Sequence, residues 1–270
     1  MIMKRYWLSC CLLLCFAGSV EAHDLYLKLD DFFVKPTAEI AVRILNGSFM
    51  SSESPVAFSR LNDASLVWPS GEMTHPAERD FTLDENISSW NIPGLSEGTY
   101  VVALSTKKRE IGLSNEDFDA YLTEDGIPDI LADRRKVKPV KPSVYEMYSK
   151  HVKMIFQVGN TRTNTYKTVI GYSVEIIPQS NPYSLKVGDD LEFLCLRDGK
   201  PLPNQYVMTG RDSAGELIIG KNIRTDATGR GRIKIDGPGK WYLKFIHMVK
   251  MNRDSLDYES NWTTLTFGVR

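Results

Sequence analysis

The sequence predicts an all-β protein made of two immunoglobulin-like or prealbumin-like β-sandwich domains with a short helical insertion. Three observations predict this class. Short segments such as residues 25–29 and 191–196 alternate apolar and polar residues, which is the pattern of strands with one buried face. β-Branched and aromatic residues are frequent in these segments, as strands favour. Turn pairs such as Asn46-Gly47 separate them, and many short strands joined by tight turns are typical of β-sandwiches.

The predicted strands are distributed along the whole chain after residue 22. In order, they cover residues 25–29, 40–45, 100–104, 172–177, 191–196, 232–235, 241–246 and 263–269. The rhythm of strands and turns becomes regular after residues 165–171, which predicts a domain boundary there. We therefore expect an N-terminal β-sandwich domain over residues 23–167 and a C-terminal immunoglobulin-like domain over residues 168–270.

One segment of the N-terminal domain departs from the strand pattern. Ser114 has the side chain of a helix cap, and Asp117 follows three residues later, as in a capping box. The apolar residues that follow have helical spacing: Phe118, Tyr121 and Leu122. Gly126 and Pro128 are expected to end this helix. Residues 144–156 form either a second helix or an extended segment.

The first 22 residues predict a signal peptide. Lys4 and Arg5 precede an apolar run over residues 8–17, and small residues in Val20-Glu21-Ala22 fit a cleavage site after Ala22. The apolar run is shorter than the roughly 20 residues that a membrane span needs, and no later stretch supplies them. We therefore expect a periplasmic protein that has no transmembrane segment after processing.

Composition argues against a nucleic-acid partner and against an internal disulfide. The formal net charge is −1, whereas nucleic-acid-binding proteins usually present a basic face, so no nucleic acid is expected. Removal of the signal peptide would leave Cys195 alone, which excludes an internal disulfide. Its apolar neighbours predict a buried thiol.

The chain after the signal peptide resembles the periplasmic family known as domain of unknown function 4198 (DUF4198). The matching blocks are His23-Asp24-Leu25-Tyr26-Leu27, Phe32-Phe33-Val34-Lys35-Pro36, Phe118-Asp119-Ala120-Tyr121-Leu122 with Glu124-Asp125-Gly126, Tyr148-Ser149-Lys150-His151-Val152-Lys153, Ile177-Pro178-Gln179-Ser180-Asn181-Pro182-Tyr183, and Ser260-Asn261-Trp262-Thr263-Thr264-Leu265-Thr266-Phe267. The resemblance implies an accessory role in nickel or cobalt uptake, related to the substrate-binding part of NikM-type transporters. It therefore implies a membrane metal transporter as partner.

Cleavage after Ala22 would make His23 the first residue, which predicts a metal site at the new N-terminus. Its α-amine and ring Nδ1 together can chelate a divalent transition metal. His247 is the predicted partner, because alternation along residues 241–247 places it on the same inward face as Trp241 and Phe245. Carboxylates complete the predicted site: Asp24 beside His23 and Asp257 in the loop after His247, with Asp254 and Glu259 as further candidates. Such a site suits nickel, cobalt or copper.

Two other histidines are weaker candidates, and two other functions are open. His151 lies between lysines, which disfavour a bound cation, and His75 precedes a proline in a polar loop that we expect to be exposed. The motifs of common hydrolases, phosphate-binding loops and zinc proteases are absent from the sequence, so we do not expect an enzyme. The main alternative is a carbohydrate-binding or adhesive module without metal. It would use exposed tryptophans among Trp68, Trp90 and Trp262. A copper-dependent monooxygenase, which also begins with histidine, is less favoured.

Overall fold

The fold is all-β with a short helical insertion, as the sequence predicts. The computed structural model describes residues 23–137, 139–253 and 255–270. The strands of the N-terminal half are β1 (Asp24–Lys28), β2 (Phe33–Val34), β3 (Ile40–Gly47), β4 (Leu61–Val67), β5 (Met73–Thr74), β6 (Phe81–Leu83), β7 (Ser88–Ile92), β8 (Gly98–Thr106), β9 (Arg109–Ser114) and β10 (Ser143–Val158). Those of the C-terminal half are β11 (Val174–Pro178), β12 (Asp190–Arg197), β13 (Lys200–Pro201), β14 (Tyr206–Ser213), β15 (Glu216–Ile219), β16 (Ile223–Arg224), β17 (Arg230–Lys234), β18 (Gly239–Arg253) and β19 (Leu256–Val269).

The described strands form three sheets. The central sheet follows the order β15-β14-β18-β19-β10-β8-β4-β5, with β2, β9 and β16 pairing beside this path. A first outer sheet has the order β1-β3-β7-β6. A second outer sheet contains β11, β12 and β13, with β17 pairing to β12.

The central sheet joins the two halves of the chain. Strand β19 pairs antiparallel with β18 on one side and parallel with β10 on the other. Strand β10, which precedes the domain boundary predicted between residues 167 and 168, is therefore hydrogen-bonded directly to β19, which follows it. The two halves share one sheet, and each half adds an outer sheet of its own.

The two outer sheets cover opposite faces of the central sheet. Thr264 and Thr266 of β19 donate hydrogen bonds to the carbonyls of Leu25 and Leu27 in β1, at 2.8 and 2.6 Å. Residues of opposite parity point the other way, because successive side chains of a strand alternate between faces. Accordingly, Lys153 of β10 pairs with Glu175 of β11 at 2.8 Å. A residue's parity on β10, β18 or β19 thus tells which layer it contacts.

The helical insertion follows β9. Helix α1 (Asn115–Glu124) is capped by the Ser114 hydroxyl, which accepts a hydrogen bond from the Asp117 amide at 3.0 Å. Helix α2 (Pro128–Arg134) follows after Gly126, whose φ of +73° lies in the left-handed region. Pro128 is the first residue of α2, a position that proline fits well. Helix α1 has already ended at Glu124.

Buried side chains hold the insertion against the central sheet. The helical residues predicted from spacing lie in one apolar cluster with residues of β18 and β19: Phe118, Tyr121 and Leu122 with Ile246, Met248, Tyr258 and Trp262. Residues 144–156 lie in strand β10, so the extended alternative is correct and the helical one is wrong. Cys195 is fully buried as predicted.

The predicted signal peptide, residues 1–22, lies outside the described residues. None of the helices that the structure describes has the length and apolar character of a membrane-crossing segment. The same limit applies to Asp254, which the sequence offers as a candidate ligand and which also lies outside the described residues.

Candidate functional site

A buried charge cluster lies where the start of β1 meets the helical insertion. Lys244 of β18 places its ammonium 2.5 Å from a carboxylate oxygen of Asp24 and 2.9 Å from one of Asp125, the residue after α1. The Tyr26 hydroxyl donates a further hydrogen bond to Asp24 at 2.9 Å. The predicted ligand Asp24 is therefore already engaged by an ammonium and a phenol.

Burial and charge act in opposite directions within this cluster. Burial raises the pKa of Asp125 to about 6, although the nearby Lys244 ammonium opposes the rise. Burial would lower the pKa of Lys244, but the carboxylates of Asp24 and Asp125 outweigh it and raise that pKa. A lysine between two carboxylates thus stays protonated in an environment that disfavours charge.

A second lysine holds the backbone of His23. The Lys150 ammonium donates to the His23 carbonyl and, at 3.3 Å, to the amide oxygen of Asn46. It also lies 5.4 Å from the centre of the Trp262 ring, where cation–π attraction operates. Burial lowers the pKa of Lys150 to about 8. The positive charge of this ammonium disfavours a metal cation at the His23 carbonyl oxygen.

The cluster continues into a buried carboxylate network. Ser260 accepts a hydrogen bond from the Trp262 indole at 2.9 Å and donates its own proton to Glu146. The Tyr121 hydroxyl donates to the same carboxylate at 3.2 Å, and the Tyr121 and Trp262 rings stack at 5.6 Å. Burial raises the pKa of Glu146 to about 7. The Trp262 ring therefore connects this network with the Lys150 ammonium that holds His23.

His23 lies next to a carboxylate of the loop after β3. Its Nε2 atom lies 3.4 Å from Glu53, and its side chain is 26 % exposed. Within the described part of the chain, no side chain is hydrogen-bonded to its Nδ1 atom. Metal-binding histidines usually present one ring nitrogen to a carboxylate or carbonyl and the other to the metal. The surroundings of His23 therefore fit the chelate that the sequence predicts.

The structure does not bring His247 to this site. Lys244 faces β1, and His247, which has the opposite parity on β18, faces the second outer sheet. There Arg197 donates to its Nε2 at 2.8 Å, and Gln205 lies 3.3 Å from its Nδ1. Burial and the Arg197 charge lower its pKa to about 4. The inward face predicted for Trp241 and its neighbours is correct, but it is the wrong face for joining His23.

Asp257 is also placed away from His23 and is occupied. It pairs with Lys141 at 3.1 Å and accepts a hydrogen bond from the Tyr145 amide at 2.9 Å. Glu259, another candidate, pairs with Lys108 at 2.7 Å. Among the described residues, no three histidine, cysteine, aspartate or glutamate side chains are grouped as a metal site would require. Asp24 and Asp257 thus each pair with a lysine in this fold. The four residues predicted as ligands are not brought together.

The other two histidines, His75 and His151, contact polar groups of the protein. His75 is 61 % exposed at its side chain, in agreement with the sequence, and its Nδ1 lies 3.0 Å from the Ala64 carbonyl. His151 is buried, and its Nε2 contacts Ser149 and Asn261. Its Nδ1 is buried without a hydrogen-bond partner in the described residues.

The tryptophans do not form the exposed aromatic face that glycan binding would use. Trp90 is buried and stacks on Phe81, and Trp262 is buried against Tyr121. Trp68 is half-buried, and its indole donates to Thr74 at 2.8 Å. Core packing therefore accounts for all three.

Four residues of the site were not predicted from the sequence: Glu53, Asp125, Lys150 and Lys244. A usable signal existed for Lys244. Lys244 is flanked two residues away on each side by Tyr242 and Ile246. A charge on an apolar strand face indicates a buried ion pair, because an unpaired charge there is costly.

Comparison with known proteins gives the family. The model of the family described as domain of unknown function (DUF4198) matches residues 20–249. The chain belongs to this family. The match ends before the block at residues 260–267 that also carries the sequence resemblance. No curated protein matches this DUF4198 chain.

Solved structures show only distant similarity to the DUF4198 chain. Trypsin-activated α-2-macroglobulin from Escherichia coli is 10 % identical with a TM-score of 0.24, and the alignment covers 92 % of this chain and 16 % of that one. A Salmonella α-2-macroglobulin mutant is 10 % identical with a TM-score of 0.25, over 91 % and 15 %. The D0–D1 domain of intimin is 11 % identical with a TM-score of 0.21, over 90 % and 97 %. The DUF4198 chain thus spans about a sixth of each macroglobulin, and similarity at this level supports no argument about function.

Proposed function

We propose that the protein is exported to the periplasm, is cleaved after Ala22, and binds a divalent transition metal through His23. The α-amine and Nδ1 of His23 would be the two nitrogen ligands. The observation that carries the proposal is the position of the Glu53 carboxylate, 3.4 Å from His23 Nε2. A hydrogen bond from Nε2 to this carboxylate in the metal-bound protein would orient the ring and leave the other nitrogen for the metal.

The surroundings of His23 favour nitrogen ligands over carboxylates. Asp24 and Asp125 share the ammonium of Lys244, so neither is free to attract a hard cation such as Mg²⁺ or Ca²⁺. A nitrogen-rich donor set suits nickel or copper best, and cobalt less well. Water or a ligand from a partner would complete the coordination.

The proposed role is capture of the metal and transfer to a membrane transporter, without chemistry on a substrate. This part of the proposal rests on the resemblance to accessory proteins of nickel and cobalt uptake. A site in which one residue supplies only two ligand atoms is suited to transfer. Few metal–protein bonds must break when the metal leaves. Backbone anchoring by Lys150 would keep the amine in place for both steps.

Calorimetric titration with nickel, copper, cobalt and zinc tests the proposal. The protein should be purified in its naturally processed form, and N-terminal sequencing should give His-Asp-Leu-Tyr. We expect binding of nickel or copper that weakens as the pH is lowered, because protonated ligands cannot coordinate. A start elsewhere than His23, or no binding of any of these metals, would contradict the proposal.

Three variants separate the N-terminal chelate from adventitious binding. One extra alanine before His23 moves the α-amine away from the ring and should reduce affinity strongly. Glu53→Gln removes the orienting carboxylate and should reduce affinity about 10- to 100-fold. His75→Ala is the matched control, since this exposed histidine lies outside the site. Equal losses in all three variants would show that the metal binds elsewhere on the protein.

A further inference from the structure

The segment after α2 projects an apolar tip into solvent. Val137 is 69 % exposed and Val140 is 96 % exposed, the two largest fractions among the exposed large apolar side chains of the described residues. Pro139 lies between them and Pro142 follows. We call residues 135–137 and 139–142 the basic loop.

Positive charge surrounds this tip. Arg135 of the basic loop and Lys250 of β18 are exposed, and no ion-pair partner is found for either among the described residues. The remaining nearby cations form ion pairs: Arg134 with Asp119, Lys136 with Asp133, and Lys141 with Asp257. Five described cations thus face three carboxylates around one concavity. The excess is positive on a chain whose formal net charge is −1.

Behind the tip lies a cavity of about 740 Å³. The basic loop forms one side of it, and Ile130, Val144 and Tyr258 contribute its apolar surface. An occupant of this region would therefore meet cations at the rim and apolar side chains at the tip and inside. The surface of a bilayer with anionic phospholipids matches this arrangement. Its headgroups would meet the cations, and the acyl-chain region beneath them would meet the apolar tip.

We propose that the basic loop docks the protein on the surface of a bilayer that contains anionic phospholipid. Charge complementarity argues for an anionic surface, because each lysine or arginine near such a membrane adds to attraction. The protrusion of Val140 argues for a lipid surface over an acidic peptide. A side chain that touches almost nothing can enter the soft interface of a bilayer, whereas a peptide groove has partly covered walls. This proposal is independent of metal binding at His23.

Vesicle co-sedimentation tests the proposal. The naturally processed protein should be mixed with vesicles of phosphatidylcholine alone and with vesicles that also contain phosphatidylglycerol. We expect sedimentation with the anionic vesicles only, and loss of binding at high salt because surface charges are screened. Absence of binding to the anionic vesicles, or equal binding to both kinds, would overturn the proposal.

Variants assign the binding to the loop. Arg135→Ala with Lys250→Ala should weaken binding about fivefold for each cation, or about 25-fold together. Val140→Asp should weaken it about tenfold or more, because it removes an apolar contact and adds repulsion. The matched controls are Lys186→Ala with Lys200→Ala, and Val187→Asp, all exposed positions of the C-terminal half.

The controls should bind as the unaltered protein does. Equal weakening in controls and loop variants would overturn the proposal by showing unspecific charge attraction. Binding of an acidic peptide such as poly-aspartate, with no vesicle binding, would also overturn it and would indicate a protein partner. Thermal melts of every variant should match the unaltered protein, since all the substituted side chains are exposed.

Discussion

The ammonium of Lys244 lies 2.9 Å from the carboxylate of Asp125, which joins the middle of β18 to the end of α1. The same ammonium also neutralises Asp24. Lys244→Met would leave two buried carboxylates without their cation. We expect it to lower the free energy of unfolding by about 3–5 kcal/mol, the usual cost of breaking a buried pair. Urea unfolding measures this loss, and Lys234→Met, at an exposed lysine, should change it little.

Stability should depend on pH through Glu146. Burial raises its pKa from 4.5 to about 7, so between these values the folded protein holds a proton that the unfolded chain releases. The stabilisation is complete below about pH 4.5 and is lost as the pH rises through 7, by at most about 3 kcal/mol. Asp125 acts in the same direction between 3.8 and about 6.

Glu146→Gln should flatten this pH profile between 4.5 and 7. Glutamine stays neutral, and it can still accept hydrogen bonds from Ser260 and Tyr121. Urea unfolding at a series of pH values measures the effect, with Glu39→Gln at an exposed position as the control. An unchanged slope in the Glu146 variant would show that other groups cause the dependence.

Gly126 is a position where alanine should be costly. Its φ of +73° is strained for any residue with a β-carbon, and that carbon would lie 2.6 Å from the Met208 sulfur. Gly215 has a φ of +94° with nothing within 4 Å, so alanine there meets only backbone strain. We expect about 1–2 kcal/mol of destabilisation for Gly215→Ala. Gly126→Ala should cost roughly 1 kcal/mol more, because Met208 must shift. Chemical denaturation of both variants compares the two effects.

His247→Ala should affect stability and leave metal binding unchanged. The substitution removes the hydrogen bonds of His247 with Arg197 and Gln205. We expect a loss of about 1–2 kcal/mol, seen as a lower melting temperature. Metal titration of this variant should match the unaltered protein. A large drop in metal affinity with full stability would instead restore His247 as a ligand.

The local elements could be predicted from the sequence because their causes are local. Ser114 caps α1 through a contact three residues away, and alternation places Trp241 and Phe245 in the core. The pairing of β10 with β19 could not be predicted in this way. It joins residues more than 100 positions apart, such as His151 and Thr263, and local propensity carries no information about such partners.

The candidate site was predicted in part for the same reason. The choice of His23 comes from a predicted processing signal, which is local in the linear sequence. Its neighbours Glu53 and Lys150 come from segments that only the fold brings together. His247 was placed on the correct face of its strand, but the sequence does not tell which layer covers that face. Because a different outer sheet covers each face of the central sheet, the covering layer decides which residues His247 contacts.

The position of β19 between β18 and β10 has a consequence for biogenesis. The N-terminal half cannot complete the central sheet until residues 256–269 have left the ribosome, since they form the seam between the halves. Native structure therefore depends on contacts of long sequence separation, and such contacts form slowly. The central sheet therefore stays incomplete while the chain is being made. Under the proposed export, this delay would help to keep the chain unfolded for passage through a narrow translocation channel.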